Sequence, residues 1–362
     1  MLSMRYPSLL RLAGSLRRWI PLYLGVRPPT MSTIPPALKK LYPPADLVLG
    51  AYGRMRARHY DPRNTIVIAS SGRGGSTWLA EIISTLPGYV LQWEPLHLNN
   101  NPEAVRHGFT WQNYMRPGTD DPSKRAYLDR ILRGKDLSTR TLTSLNFSIR
   151  RLAQLRGYVV KCVNANGLLY WMLEAFPVPA ILMVRHPCAV VASQRAHAWN
   201  ALRKEDCTIP NFLFEDYPHF ADVFERIQAP EEVLAFEWAV QTHIPLNQPH
   251  PHPWLLTTYE RLVDEGRTEV DRLFAYLGRP VPTDAYRRLD TASATTVENS
   301  NVTLGKNPLE GWTTRLTPAQ VDRVLRVTHD MGVDFYSEAL RPDYERMPLK
   351  QPATFSQQKV LL

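Results

Sequence analysis

Cysteine is scarce in this 362-residue chain: Cys162, Cys188 and Cys207 are its three, and no two of them stand in a C-x-x-C pair. A scattered, odd-numbered set excludes a disulfide framework and a cysteine-built zinc site, and it points to a reducing, cytoplasmic setting. Long apolar runs are also lacking. No stretch reaches the roughly 18 uninterrupted apolar residues that a membrane-spanning helix needs. Acids are lacking in one region, since none precedes Asp46. Residues 1–63 carry eleven lysines and arginines against Asp46 and Asp61, whereas from residue 64 onward basic and acidic side chains balance. The formal net charge of +9 therefore belongs to the N-terminal segment. A body without a basic surplus is no polycation, and nucleic acid is not an expected partner.

What the chain does have is 44% hydrophobic and 21% charged residues, enough to bury a sizeable core and to exclude wholesale disorder. Residues 1–60 read as a basic, proline-rich arm. On a helical wheel Leu9, Leu12, Ala13, Leu16, Trp19 and Ile20 share one face opposite Arg11 and Arg18. Pro21 should end that helix. The pairs Pro28-Pro29, Pro35-Pro36 and Pro43-Pro44 then mark a stretch that resists regular structure. Three readings stand: an arm packed on the domain, a surface helix giving peripheral membrane contact, or an organelle transit peptide. The first two are favoured, since nothing else in the sequence indicates an organelle. Met31 would open a plausible shorter chain.

From Thr65 the pattern alternates between short apolar strands and amphipathic helices. Strands are expected at Thr65–Ala69, Tyr89–Trp93, Tyr158–Val160, Ala180–Val184 and Trp254–Thr258. Helices are expected at Ser76–Leu86, Leu168–Phe176, Pro187–Ala198, Glu231–Gln241 and Glu269–Leu277. Thr317-Pro-Ala-Gln320 is a capping box with proline at the first helical position, opening a last helix to about Met331. Strands spaced by helices imply an α/β domain, residues 61–345, with a parallel sheet covered by helices on both faces. Residues 97–150 hold no clear strand and read as an insertion or lid, and residues 346–362 as a tail.

Two strand–loop–helix junctions carry the chemistry. Ser70-Ser71-Gly72-Arg73-Gly74-Gly75-Ser76-Thr77-Trp78 is glycine-rich, so successive N–H groups and a helix N-terminus can face an anion. Arg73 adds a fixed cation, and Ser76 and Thr77 add hydroxyls. It is not a Walker A loop, because Ser76 stands where that loop has its lysine. In Val184-Arg185-His186-Pro187-Cys188-Ala189-Val190-Val191-Ala192-Ser193, an arginine at a strand's carboxyl edge and a serine two turns into the next helix could reach one phosphate. Together they describe a ligand with two separated phosphates.

On these residues the chain resembles the sulfotransferases that use 3′-phosphoadenosine-5′-phosphosulfate (PAPS). Arg73 to Trp78 matches their [KR]-S-G-[ST]-[ST]-[WFL] loop for the 5′-phosphosulfate, with Gly74 in place of serine. Arg185 to Ser193 fits their 3′-phosphate motif, R-[DH]-P-x-A-V-x-x-S, at every specified position. Thr258-Tyr259-Glu260-Arg261-Leu262 resembles the family's YEDL segment, and Gly305-Lys306 with Gly311-Trp312 resembles its late covering loop. The resemblance spans roughly residues 64–335. It implies a P-loop NTPase-like fold, PAPS as co-substrate, and donor contacts from Arg73, Gly74, Gly75, Ser76, Thr77, Trp78, Arg185, Ser193, Tyr259, Gly305 and Lys306. Arginine at position 73 and the Trp93-Glu94-Pro95-Leu96-His97 string resemble the carbohydrate-sulfating branches.

Sulfuryl transfer resembles phosphoryl transfer, with charge growing on the leaving phosphate's bridging oxygen, so it needs cations there and a base at the acceptor hydroxyl. Lys161 matches the family's lysine beside Arg73. The phenol-sulfating branch has its base histidine where this sequence has Val163. Glu94, which resembles the carboxylate base of sugar-sulfating members, is expected to fill the gap, with His97 second. No metal is required, since arginine and lysine take the place of Mg²⁺. The expected acceptor is a hydroxyl on a sugar, glycolipid, or small alcohol or phenol. Alternatives are a non-catalytic nucleotide-binding protein, allowed by Gly74 and Val163, and a kinase-like phosphotransferase, opposed by the missing Walker lysine. The two histidines of Pro249-His250-Pro251-His252-Pro253 lack a nearby acid or cysteine and are not expected to hold metal. The acceptor itself and the oligomeric state are not written in the sequence.

Overall fold

The computed structural model describes residues 42–347 apart from 100, 143–147, 198–202, 208, 250 and 297–299, together with residue 355. The amphipathic stretch at 9–20 and most of the expected tail lie outside the described residues. Five strands, β1 (Thr65–Ser70), β2 (Tyr89–Trp93), β3 (Gly157–Cys162), β4 (Ala180–Val184) and β5 (Leu255–Thr258), form one parallel sheet in the order β2-β3-β1-β4-β5. Every residue of these strands is buried. Their continuous apolar runs therefore lack the polar alternation of a sheet with one wet face.

The helices that frame the sheet are α1 (Tyr42–Ala57), α2 (Ser76–Ile83), α3 (Pro187–Arg195), α4 (Pro230–Leu246), α5 (Arg267–Tyr276), α6 (Thr283–Leu289) and α7 (Pro318–Asp330). The period-2 pleat sends Val67, Ala69, Leu182 and Val184 to one face, where α3, α4 and α7 pack. It sends Ile66, Ile68, Ile181 and Met183 to the other, against α2, α5 and α6. The α/β architecture with two covered faces is as the sequence implies. The α7 cap forms as a capping box, with Thr317 Oγ1 accepting from Gln320 N and Thr317 N donating to Gln320 Oε1 at 2.9 Å.

Four local expectations need correction. The proline-pair stretch is partly helical, because Pro43 and Pro44 fall in the first turn of α1, where a missing N–H is tolerated. This helix lies on the body: Arg56 donates to Leu155 O at 2.8 Å, and Thr139 N donates to Asp46 Oδ1 at 2.6 Å. β3 runs on to Cys162, so Lys161 lies within the strand, paired with Ile68 and Trp93. Helix α4 is longer than its expected core, opened by Glu232 accepting from the Gln228 and Ala229 amides at 2.9 Å. It continues to Leu246 because Ile244 and Leu246 are buried apolar residues. The described residues of the 97–150 segment pack on the body as a wall more than a lid. The helix Pro122–Leu132 seats Tyr127, Leu128, Ile131 and Leu132 in the core, and Leu142 bridges to Gln92.

The α1 contact is testable. Asp46→Ala removes the acceptor of the Thr139 amide and hydroxyl, bonds of 2.6 and 2.8 Å to a charged group. It should cost about 1–2 kcal/mol, read as a lower urea midpoint with an unchanged slope.

Candidate functional site

The glycine-rich junction after β1 is shaped by two close approaches. A Cβ at position 74 would collide with Ser70 Oγ and stand 2.9 Å from the Ser71 carbonyl, which explains glycine where the resembled loop has serine. Gly75 caps α2 at φ +96°, and a Cβ there would meet Tyr259 Cδ2 at 2.6 Å. Arg73 takes φ +72° without being glycine. Such a conformation costs about 1–2 kcal/mol and persists where the surroundings over-determine it. Here Arg73 Nε donates to Ser193 Oγ at 3.1 Å, Arg73 Nη2 donates to Thr295 O at 3.1 Å, and Arg73 O accepts from Arg185 Nη1 at 3.3 Å. The first N–H groups of α2, which have no intrahelical acceptor, sit beside a pocket lined by Ser71, Arg73, Gly75, Ser76 and Thr77. Trp78 also lines it, its indole donating to Arg288 O at 2.9 Å.

The second junction meets the first. The Arg185 guanidinium lies over the Tyr259 ring, 4.1 Å from its centroid, and its Nε is buried without a hydrogen-bond partner. Ser193, two turns along α3, is the residue that Arg73 holds. Beneath them is a buried layer absent from the sequence reading. Glu260 accepts from His186 N at 2.9 Å and from Tyr336 Oη at 3.1 Å. His186 caps α3 by accepting from Cys188 N at 3.2 Å, bonds Ser337 O at 2.9 Å and stacks on Trp312 at 4.7 Å. Burial pushes the Glu260 carboxyl up and the His186 imidazole down to about 4. The His186 ring is therefore neutral at pH 7.

The other edge of the sheet supplies a different chemistry. Lys161, 2% exposed, is ion-paired with Glu94, 13% exposed, and its ammonium lies 4.2 Å from the centre of the Trp93 indole. Glu94 bends back at φ +42°, fixed by its own N–H on Lys161 O at 2.8 Å and its carbonyl under His97 N at 2.9 Å. His97 lies edge-on to Trp111 at 4.9 Å, with Nδ1 buried and unpartnered, and burial lowers its pKa.

One cavity of about 1160 Å³ joins the two regions. In the strand order, the end of β2 (Glu94) and the end of β4 (Arg185) are three spacings apart, roughly 14 Å. The cavity wall also holds Gln112, Asn164, Glu237 and Gln241, which the sequence reading missed. Glu237 had a signal: it is the carboxylate inside the otherwise apolar run 233–240 of α4, between buried Phe236 and Trp238. Gly305 and Lys306 are exposed, on a turn between wall residues Val302 and Pro308 and not on the wall itself. His252 is buried and stacked on Trp254. Among the described residues no group of three His, Cys, Asp or Glu could hold a metal, and no helix is long and apolar enough to cross a membrane.

Chemically, one end offers two arginines, hydroxyls, a helix N-terminus and the Tyr259 and Trp78 rings. The Arg185 Nε is a buried charged donor without a partner, and the Trp78 and Tyr259 rings, tilted at 5.6 Å, offer aromatic surface beside it. The other end offers a carboxylate and an ammonium within reach of each other. A protein-family model described as a sulfotransferase domain matches residues 63–332. Among solved structures, the sulfotransferase domain of the Synechococcus PCC 7002 olefin synthase is similar at 17% identity, covering 78% of this chain and 98% of that one, with a TM-score of 0.42. Mouse sulfotransferase SULT7A1 complexed with PAP is similar at 14% identity, covering 79% and 90%, with a TM-score of 0.37. Retinol dehydratase in complex with androsterone and PAP is similar at 15% identity, covering 83% and 88%, with a TM-score of 0.35. A search of curated proteins finds no match.

His186 makes the region acid-sensitive. Between the unfolded histidine's pKa of about 6.5 and the folded value of about 4, the unfolded chain binds a proton that the folded chain refuses. Stability should be complete above pH 7 and fall, by about 3 kcal/mol at most, as pH drops through that window. His186→Asn keeps a capping acceptor and should narrow the difference between urea midpoints at pH 7 and pH 5. An undiminished difference would assign the acid sensitivity elsewhere.

Proposed function

The chain belongs to the sulfotransferase domain family, whose members take their sulfuryl group from PAPS, and we propose that this cavity transfers it to a hydroxyl of a sugar, glycolipid, or small alcohol or phenol. The observation that carries the reading is the joining, in one cavity, of an arginine-rich end to a buried carboxylate–ammonium pair. In this reading Arg185 and Ser193 hold the 3′-phosphate, while Tyr259 and Trp78 flank the purine. Gly75, Ser76 and Thr77 hold the 5′-phosphosulfate with backbone N–H groups and hydroxyls, while Gly74, whose N–H bonds Ser71 O at 3.0 Å, lets the loop close around it. Lys306, next to Gly305 on the exposed turn, adds a cation over the donor.

Glu94 takes the proton of the acceptor hydroxyl as its oxygen bonds to sulfur. The sulfur–oxygen bond to the 5′-phosphate breaks, and its electron pair stays on that phosphate oxygen. Arg73 and Lys161 stabilise the charge that grows there, so the products are the sulfate ester and adenosine 3′,5′-bisphosphate (PAP). Lys161 reaches both centres by releasing Glu94 as the donor's charge arrives. In this account no metal is needed, because two fixed cations meet the leaving oxygen.

The division of labour gives the test. Arg185 contacts a phosphate remote from the breaking bond and binds ground state and transition state alike. Arg185→Ala should raise the KM for PAPS by the loss of a charge-assisted bond, about 1.5–3 kcal/mol, with kcat nearly unchanged. Glu94→Gln keeps the shape and cannot take a proton, so kcat should fall about 10²–10⁴-fold. That variant also leaves a buried Lys161 short of its counter-ion, so calorimetric PAP affinity must confirm that the site is intact. Near-normal kcat in Glu94→Gln would pass the base to His97, the neutral imidazole beside it. Lys161→Ala should likewise lower kcat.

A further inference from the structure

The end of the cavity beyond Glu94 holds aromatic and polar side chains whose role the transfer chemistry leaves open. The backbone turn after Glu94 carries His97, whose ring meets the Trp111 indole edge-on at 4.9 Å, and the neighbouring Gln112 side chain bonds the Glu237 carboxyl. Trp111 lines the cavity and is 37% exposed, so its indole offers an open apolar face at this end. Glu237 faces neutral partners: the Gln112 carboxamide and the Cys207 thiol, whose Sγ lies 3.9 Å from Oε1. The Asn164 side chain is fixed by donating to Leu96 O at 3.1 Å, and its backbone carbonyl accepts from Asn113 Nδ2 at 3.0 Å.

This chemistry discriminates between acceptors. An acidic sugar would bring a second negative charge against the half-buried Glu237, with no cation among its partners. Like charges at contact distance repel more strongly in such a setting than in bulk water. A flat phenol would use the indole and leave the Gln112–Glu237 pair with nothing to bind. A neutral sugar uses both: the C–H face of the ring covers the tryptophan, and its hydroxyls donate to the Glu237 carboxylate and exchange bonds with the Gln112 carboxamide, which donates and accepts. We propose, resting on the sulfotransferase reading above, that Trp111, Gln112 and Glu237 form an acceptor subsite for an uncharged, hydroxyl-rich ring, seated so that one hydroxyl reaches Glu94.

The test uses the full chain, labelled PAPS, and three acceptor sets: neutral methyl hexosides, the matching uronates with a carboxylate at C6, and 4-nitrophenol. Hexosides should be sulfated with a kcat/KM at least about tenfold above that of the uronates. Trp111→Ala should raise the hexoside KM about tenfold, Trp111→Phe should restore most of it, and calorimetric PAP affinity should stay unchanged in both. Glu237→Gln, which keeps hydrogen bonding without charge, should still take hexosides and should shrink the discrimination against uronates. Preference for uronates or for 4-nitrophenol, or a hexoside KM indifferent to Trp111→Ala, overturns the subsite and leaves the sulfotransferase reading standing. PAP binding without transfer to any acceptor set overturns that reading itself, and the subsite with it.

Discussion

An ammonium taken out of water governs the layout of this protein. Lys161 is a strand residue, flanked in the sheet by Ile68 and Trp93, and its charge is 2% exposed. An unpaired charge so placed costs several kcal/mol, so a counter-ion must come to it. Glu94 comes by leaving the strand in a left-handed turn, and the indole of the preceding residue, Trp93, closes over the other side. The strained turn survives because Glu94 N–H is tied to β3, and its carbonyl accepts from both His97 N–H and, at 3.2 Å, the Asn101 amide. A carboxylate positioned by a buried lysine stands at the mouth of the parallel sheet with little rotamer freedom left. Pre-orientation of that kind is what a general base requires before its pKa matters.

The sheet order explains why the other half of the site lies where it does. β1 is central, with β3 and β2 to one side and β4 and β5 to the other. Connections leaving β1 and its neighbours diverge at their carboxyl ends, opening the crevice in which such sheets bind ligands. Arg73 follows β1, Arg185 follows β4 and Tyr259 follows β5, so cations and rings accumulate on one side of the switch. Lys161 and Glu94 end β3 and β2 on the other. Both left-handed non-glycine residues of the described chain, Arg73 and Glu94, flank this crevice. Strain is thus confined to the two loops that hold charge in place, in keeping with the clustering of such conformations at functional sites.

The parts legible in the sequence are those whose signal is local. A β-branched run, a glycine-rich turn and a helix cap are written in consecutive residues, and Arg185 to Ser193 needs one strand end and two turns of helix. The parts that were not legible depend on partners distant in sequence. Lys161 could be placed near a strand end, but nothing local says that β3 continues through it, because the apolar pairing comes from β1 and β2. Helix α1 looked unstructured because proline pairs dominate its start, whereas its stability comes from contacts with Thr139 and Leu155, about a hundred residues away. Nothing local in Thr258-Tyr259-Glu260-Arg261-Leu262 says that Glu260 is buried. In the fold it is buried, because His186 and Tyr336 arrive from two other segments to bond it. The wall residues Gln112, Asn164 and Gln241 carry no pattern at all, since carboxamides acquire a role only from the cavity they face.

Charge is distributed along the cavity in the same sense as the reaction. The arginine end sits over a buried layer in which burial keeps the His186 ring uncharged and raises the Glu260 pKa. The guanidinium of Arg185 lies above the Tyr259 ring with its Nε unpartnered, which leaves a charged donor for an incoming anion. At the opposite end Lys161 is matched by Glu94 from the outset. In the proposed reading, an anionic donor meets arginines at one end and, at the other, a lysine that already has its counter-ion. There the donor's charge competes with Glu94 for one ammonium, and the carboxylate is the partner available for a proton. Donor binding before base activation is the order that this proposal implies.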